Sequence, residues 1–326
     1  MVCQNILNYD FAIAILNHNG SVLLKRFLSK VVENCQDAQI YIIDNKSSDD
    51  SIDFISKNYP EINIIKLNAN YGYAEGYNEG VKLIAEDVII FLNNDAVFLD
   101  KQSYNQIYKT FNSNDNISIA QPRIIDYNNR NKYEYAGASG GYIDLLGYPF
   151  CRGRIINNVE SAEKYRTTRE IFWASGACFV IRRKIFNKLN GFDNDFFCHM
   201  EEIDLCWRLK NIDNDKKIVT IGKSQVFHIG GGTMQYDNPN KNYLNFRNSI
   251  MMLIKNLPLG YLAPVIIFRI LFDLIILIFS FLTLNFNLSF SILKAYYYNL
   301  INFRINFLKR IKSKKSKKYY YCKSIL

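Results

Sequence analysis

Acidic residues stop at Asp273: the 53 residues beyond it hold ten lysines and arginines and not one Asp or Glu. Without those ten, 30 basic residues face 30 acidic ones, so residues 1–273 are formally neutral although the chain as a whole carries +10. A neutral folded portion does not fit nucleic acid as a partner, because a nucleic-acid footprint would mark the domain itself. Bases close behind an apolar stretch suit an anionic membrane surface instead. Cysteine pairs are missing as well. The seven thiols, Cys3, Cys35, Cys151, Cys178, Cys198, Cys206 and Cys322, are scattered, odd in number and free of any CxxC spacing. That argues against a disulfide framework or a zinc cluster and for a reducing compartment. The opening MVCQNILNYD has neither the basic start nor the apolar run of a secretory leader, so the expectation is a cytoplasmic protein.

What is present is apolar and aromatic: 49% hydrophobic residues, with 23 Tyr and 23 Phe, enough for a large core. Four short apolar runs, FAIAIL (11–16), QIYIID (39–44), INIIKL (62–67) and DVIIFL (87–92), read as buried strands. Helix-like spacing separates them, giving a βαβαβαβ order and a largely parallel sheet. Ligands of such sheets bind at the carboxyl ends of the strands, and here those ends carry Asn17, Asp44 with Asn45, and Asn93, Asn94 and Asp95. A dinucleotide oxidoreductase would need G-x-G-x-x-G after the first strand, and NHNGSVLL offers Gly20 alone. Gly72, Gly76 and Gly80 recur every four residues, a helix-packing spacing. A nucleotidyltransferase would need a Gly-rich basic loop that NHNGSVLLKR lacks. Residues 100–170 are Asn- and Tyr-rich with little periodicity beyond a strand-like stretch at 117–122.

Further along, WASGACFVIRR (173–183) reads as a turn leading into a strand, and NGFDNDFF (190–197) as a loop delivering the acidic helix MEEIDLCWRL (200–209). Acids in a first turn suit the positive end of the helix dipole, and Asp204 stands four residues before Arg208, the spacing of an ordinary surface pair. The strand KIVTIG follows, then VFHIGGGT with a glycine turn behind His228. Together with ILNHNG, IIDNKSSDDS, NANYGYAEGYNEG and FLNNDAVF, these segments resemble a family 2 glycosyltransferase of the GT-A fold, most closely its rhamnosyltransferase-like branch in bacterial surface polysaccharide synthesis.

The resemblance implies a GT-A catalytic domain over residues 1–258, with a mostly parallel central sheet flanked by helices. It implies an inverting sugar transfer from a dTDP-, UDP- or GDP-linked donor to a hydroxyl of a lipid-linked glycan, assisted by Mg²⁺ or Mn²⁺. Asn17, Asp44, Asn45, Asn94 and Asp95 then match donor-binding positions. Asp95, in the family's DxD position with Asn where the first Asp often stands, becomes a metal ligand together with His228. Glu202 matches the general base, with Glu201, Asp204, Trp173 and Gly176 on the supporting or acceptor side. The competing reading is a catalytically silent scaffold or nucleotide-sugar sensor in an assembly complex, which the intact Asp44, Asp95 and Glu202 set argues against.

Residues 259–326 change character. LGYLAPVIIFRILFDLIILIFSFLTL is apolar except for Arg269 and Asp273, which stand four apart on one helix face and are expected to pair. A single span with the basic tail inside would put the domain on the outer side of the membrane. Helices lying in the interface are therefore expected, with the protein peripheral on the inner face of the cell membrane.

Overall fold

The computed structural model describes residues 8–135, 137–155, 158–230, 239–311 and 319–322. The isoleucine-rich runs become strands, and the amphipathic stretches between them become helices that cover the sheet. The order is β1 (Phe11–Asn17), α1 (Ser21–Asn34), β2 (Ala38–Asp44), α2 (Ser51–Asn58), β3 (Asn63–Lys66), α3 (Gly72–Val81) and β4 (Val88–Leu92). β1 pairs in parallel with β2 and β4, and β2 with β3; the register sets Asn17 level with Asp44, so the polar strand ends share one edge. The α3 glycines let that helix press on the sheet. A Cβ on Gly76 would stand 2.9 Å from Leu16 Cδ1, and one on Gly80 would overlap Ile43.

The chain continues through β5 (Ala96–Val97), α4 (Lys101–Ser113) and β6 (Ile117–Asp126). Helix α4 went unread in the sequence. Its buried Tyr104, Ile107 and Phe111 keep helical spacing, and the Asp100 carboxylate caps it by accepting from the Ser103 amide at 2.7 Å, but polar residues between them hide the pattern. Short strands follow: β7 (Gly141–Ile143), β8 (Pro149–Cys151), β9 (Arg154–Ile155), β10 (Asn158–Val159) and β11 (Arg169–Glu170). Then come β12 (Cys178–Arg182), α5 (Arg183–Lys188), α6 (Glu201–Ile212) and β13 (Lys217–His228).

The main sheet runs β11-β13-β6-β12-β4-β1-β2-β3, with β5 added on β13. Its first half is parallel as expected. The second half is mixed, because β12 lies antiparallel to both β4 and β6 while β13 runs parallel to β6. The reason is where β12 begins. The chain arrives from a long excursion at the carboxyl edge of β4, where Asn93 donates its amide to the Ala177 carbonyl at 3.1 Å, and from that edge a strand can only run back. The turn WASGA therefore lies beside the NND segment.

Four helices close the chain: α7 (Pro239–Asn256), α8 (Leu259–Leu282), α9 (Phe286–Ile301) and α10 (Phe303–Ile311). Met251, Met252 and Leu253 of α7 are buried in the same core as the sheet. Arg269 and Asp273 share a face of α8, but among the described ion pairs they are not joined directly. Both meet Tyr148 instead: its ring lies 3.6 Å from the Arg269 guanidinium, and its hydroxyl donates to Asp273 at 3.1 Å. In place of the expected direct pair, Arg269 also donates to Ser249 at 2.9 Å and Asp273 also accepts from Tyr296 at 2.7 Å.

Candidate active site

At the carboxyl edge the polar groups interlock. The Asn17 amide donates to the Ser47 and Ser51 hydroxyls at 3.2 and 3.1 Å and accepts from Asn94 Nδ2 at 3.1 Å. Asp44 accepts the Ser47 amide at 3.1 Å, which closes the turn after β2. The Asn45 side chain donates to Asn70 and to the Gly72 carbonyl and accepts from the Tyr71 amide, all within 3.0 Å, so it holds the segment that starts α3. Asn17 and Asn94 thus form one contact pair, while Asn45 shapes the floor beside them.

Asp95 is buried, and its carboxylate meets Nε2 of His228 at 3.0 Å, because β13 pairs with β5 and sets His228 opposite Ala96. On the other side of the ring, Nδ1 stands 3.6 Å from the buried Glu134, beyond hydrogen-bond reach but within range of an ion pair. Burial alone would lower the imidazole; the two carboxylates outweigh it and hold His228 up at about 10. Gly230 is described and has positive φ, whereas Gly231 and Gly232 of the expected glycine turn lie outside the described residues.

The three acids of α6 occupy different chemical states. Asp204 is fully buried, which corrects the surface-pair expectation: it meets Arg208 at 2.7 Å, Lys255 at 2.8 Å and Asn256 at 2.7 Å. Burial raises its carboxyl, but Lys255 and Arg208 override that and keep it below the usual range, hence ionised. Glu201 is buried, and burial and the neighbouring Glu202 push its carboxyl well up. Glu202 is part-buried, and burial pushes it up to about 7 against the pull of backbone N–H groups including that of Gly176. Its Oε2 has no hydrogen-bond partner among the described residues, an unfilled acceptor of the kind a substrate hydroxyl would satisfy.

A Cβ on Gly176 would stand 2.9 Å from the Tyr73 hydroxyl, so the absence of a side chain there admits that hydroxyl, which donates to the Gly176 carbonyl at 3.0 Å. Gly176 precedes Ala177, whose carbonyl bonds Asn93. The WASGA turn therefore joins Glu202 on one side to the Asn93–Asp95 segment on the other. Trp173 is engaged elsewhere: its indole donates to the Tyr142 carbonyl at 2.9 Å.

Several residues that sequence reasoning missed support this arrangement. The segment before α6 has positive φ at Phe197, His199 and Met200, a costly conformation for side chains of this size. It is held from α7: Asn248 Nδ2 donates to the carbonyls of Phe196, Cys198 and His199 at 3.0, 2.8 and 2.7 Å, and Arg247 donates to those of Asp195 and Phe196. Glu134, Tyr73, Arg247 and Asn248 sit in no spacing pattern, and no signal in one sequence marks them.

With this geometry in view, the comparison with known proteins is decisive. The model of "Glycosyl transferase family 2" matches residues 12–189. The chain belongs to that family. This glycosyltransferase is 24% identical over 259 residues to the low-salt glycan biosynthesis hexosyltransferase Agl10 of Haloferax volcanii, covering 77% of each chain. It is 24% identical over 203 residues to the N-acetylglucosaminyl-diphospho-decaprenol L-rhamnosyltransferase of Mycobacterium tuberculosis, covering 57% of this chain and 66% of that one. In fold it is similar to GalNAc-T7 solved with UDP, GalNAc and Mn²⁺, with a TM-score of 0.60 and 16% identity over 79% of this chain; it spans about half (49%) of that polypeptide. The GT-A-like fold is thereby shown.

Proposed function

We propose that this glycosyltransferase moves a sugar, with inversion, from a nucleotide-sugar donor to a hydroxyl of a lipid-linked glycan at the inner membrane face. The observation that carries the reading is the WASGA turn, which puts a part-buried carboxyl with a raised pKa and an unfilled oxygen next to the segment bearing Asp95. The mycobacterial relative is named for a diphospho-decaprenol-linked sugar, and relatives named rhamnosyltransferases support rhamnose as the sugar transferred.

Asn17, Asp44 and Asn94 line the edge where the donor's base and ribose would lie, and Asn45 keeps that edge in shape through residues 70–72. Glu202 would take the proton of the attacking hydroxyl, and its pKa near neutrality matches that task. Asp95 and His228 would hold a divalent cation, Mg²⁺ or Mn²⁺. The buried Asp95 carboxylate fits a hard cation as it stands, whereas His228 Nε2, protonated against Asp95 at 3.0 Å, would give up that proton as the metal bound. Among the described residues no three His, Cys, Asp or Glu side chains form a metal group, so diphosphate oxygens would complete the shell. Such a cation, when bound, neutralises charge on the departing diphosphate.

The test incubates the purified protein and a lipid-linked acceptor extract with dTDP-, UDP- and GDP-sugars and either metal, following nucleotide release. Release with one donor, abolished in Glu202→Gln, is expected. No release from folded protein with any donor would overturn the reading and favour a silent scaffold.

A further inference from the structure

Helix α8 has its polarity inverted. A soluble helix turns its apolar stripe to the core and its charges to water. Here the narrow buried stripe contains Arg269, Asp273 and Ser280, while Phe268, Leu271, Ile275, Phe279 and Leu282 recur at helical spacing on the exposed side. α9 repeats the inversion: Ser289, Ser291 and Asn299 are buried and Phe290 and Tyr297 exposed. Ser280 and Ser289 meet at 2.7 Å inside the pair. An outer surface of this size and composition is far from what a water-exposed face carries.

By length and composition alone α8 is long and apolar enough to cross a membrane. Its attachments argue otherwise. Arg269 donates to Ser249 of α7 at 2.9 Å, and Asp273 accepts from Tyr148 at 3.1 Å and from Tyr296 of α9 at 2.7 Å. The first half of α8 is thus bolted to the catalytic body. Only residues 274–282 extend beyond the last bolt, about 14 Å of helix at about 1.5 Å per residue, against a hydrocarbon core of about 30 Å. The chain then returns: Arg310 of α10 donates to the carbonyls of Ile254 and Leu257, beside the point where α8 departs.

We propose that the outward faces of α8 and α9 form a platform that sinks into one leaflet of an anionic bilayer without crossing it. The proposal rests on the reading of a lipid-linked acceptor, which gives the platform its purpose. Charge selects the occupant. The segment behind Asp273 carries ten bases and no acid, which attracts anionic headgroups, whereas a second copy of the chain would bring the same positive charge.

The full-length protein is floated with vesicles of phosphatidylcholine alone or mixed with phosphatidylglycerol. Binding to the mixed vesicles is expected, falling at least tenfold in the double variant Ile275→Glu, Phe279→Glu. A Phe279→Trp variant should be quenched more by lipids brominated near the headgroup than by those brominated near the chain end. In membrane vesicles of either orientation, Leu284→Cys should escape labelling from the face opposite the catalytic domain. Labelling there, or undiminished flotation of the double variant, would overturn the proposal; so would conversion of a dimer to a monomer in that variant with flotation unchanged. Donor nucleotide binding in detergent, measured for each variant, separates loss of fold or failure of the catalytic reading from failure of the platform.

Discussion

Glu201, Glu202 and Asp204 lie within one helical turn yet hold their protons differently, and the difference comes from what surrounds each. As the proposed base, Glu202 would act only when its proton is absent, so sugar transfer should rise with pH along an acid limb whose midpoint lies near 7; a midpoint near 4.5 in the rate profile would contradict this. The same shift has a stability sign. With a folded pKa above the ordinary 4.5, the native state binds more protons than the unfolded one between the two values. Glu202's contribution is therefore full below 4.5 and lost as pH climbs through about 7. Glu202→Gln should cut kcat by about 10²- to 10⁴-fold while leaving Tm at pH 8 unchanged or higher. Asp204→Ala should do the reverse. It takes from Arg208 and from the buried Lys255, which keeps Asp193, the carboxylate they share, costs about 3 kcal/mol and lowers Tm, visible in a denaturant melt. The resemblance pointed to this acidic helix, but which acid is charged depended on Lys255, fifty-one residues away.

At the scale of elements, the segment from Asp193 to Met200 is shaped by α7. Three positive-φ side chains in four residues do not hold themselves, and Asn248 captures the carbonyls they expose. Asn248→Ala should lower kcat by about 10²-fold with donor KM near wild type, and should move the acid-limb midpoint, since Glu202 would no longer be held at the same burial. Unchanged kcat and midpoint in a folded variant would show the clamp idle. Strands β1, β2 and β4 and helices α1 to α3 were legible because burial leaves apolar runs and amphipathic helices leave a 3.6-residue period, while the edge strand β3, exposed at Asn63 and Lys66, was legible from Ile64 and Ile65. Helix α4 was not, because its inward face mixes Tyr104, Ile107 and Phe111 with the polar Ser103 and Asn112. The direction of β12 was not, because a strand's sequence does not record which way its neighbour runs.

For the whole molecule, the C-terminal helices and the catalytic body are one mechanical unit. Lys309 of α10 pairs with Asp193 at 2.6 Å and Asp195 at 2.7 Å, and Lys255 of α7 pairs with Asp193 at 2.6 Å, so the segment before Glu202 is gripped from two directions. Burial raises Asp193, but the two lysines hold its carboxyl well below the usual range. Lys309→Ala should speed hydrogen exchange at amides 196–199 without weakening donor binding; unchanged exchange would show that α10 does not brace the segment. The sequence by itself determined the family, the parallel half of the sheet and the apolar, basic character of the C-terminus, because these are written in local periodicity and composition. Only the tertiary structure decided which of three neighbouring acids is poised near neutrality and which is held below the usual range, and that α8 is fastened to the rest of the fold through Arg269 and Asp273. Burial and ion pairing depend on residues brought together from distant positions, and no local pattern encodes them.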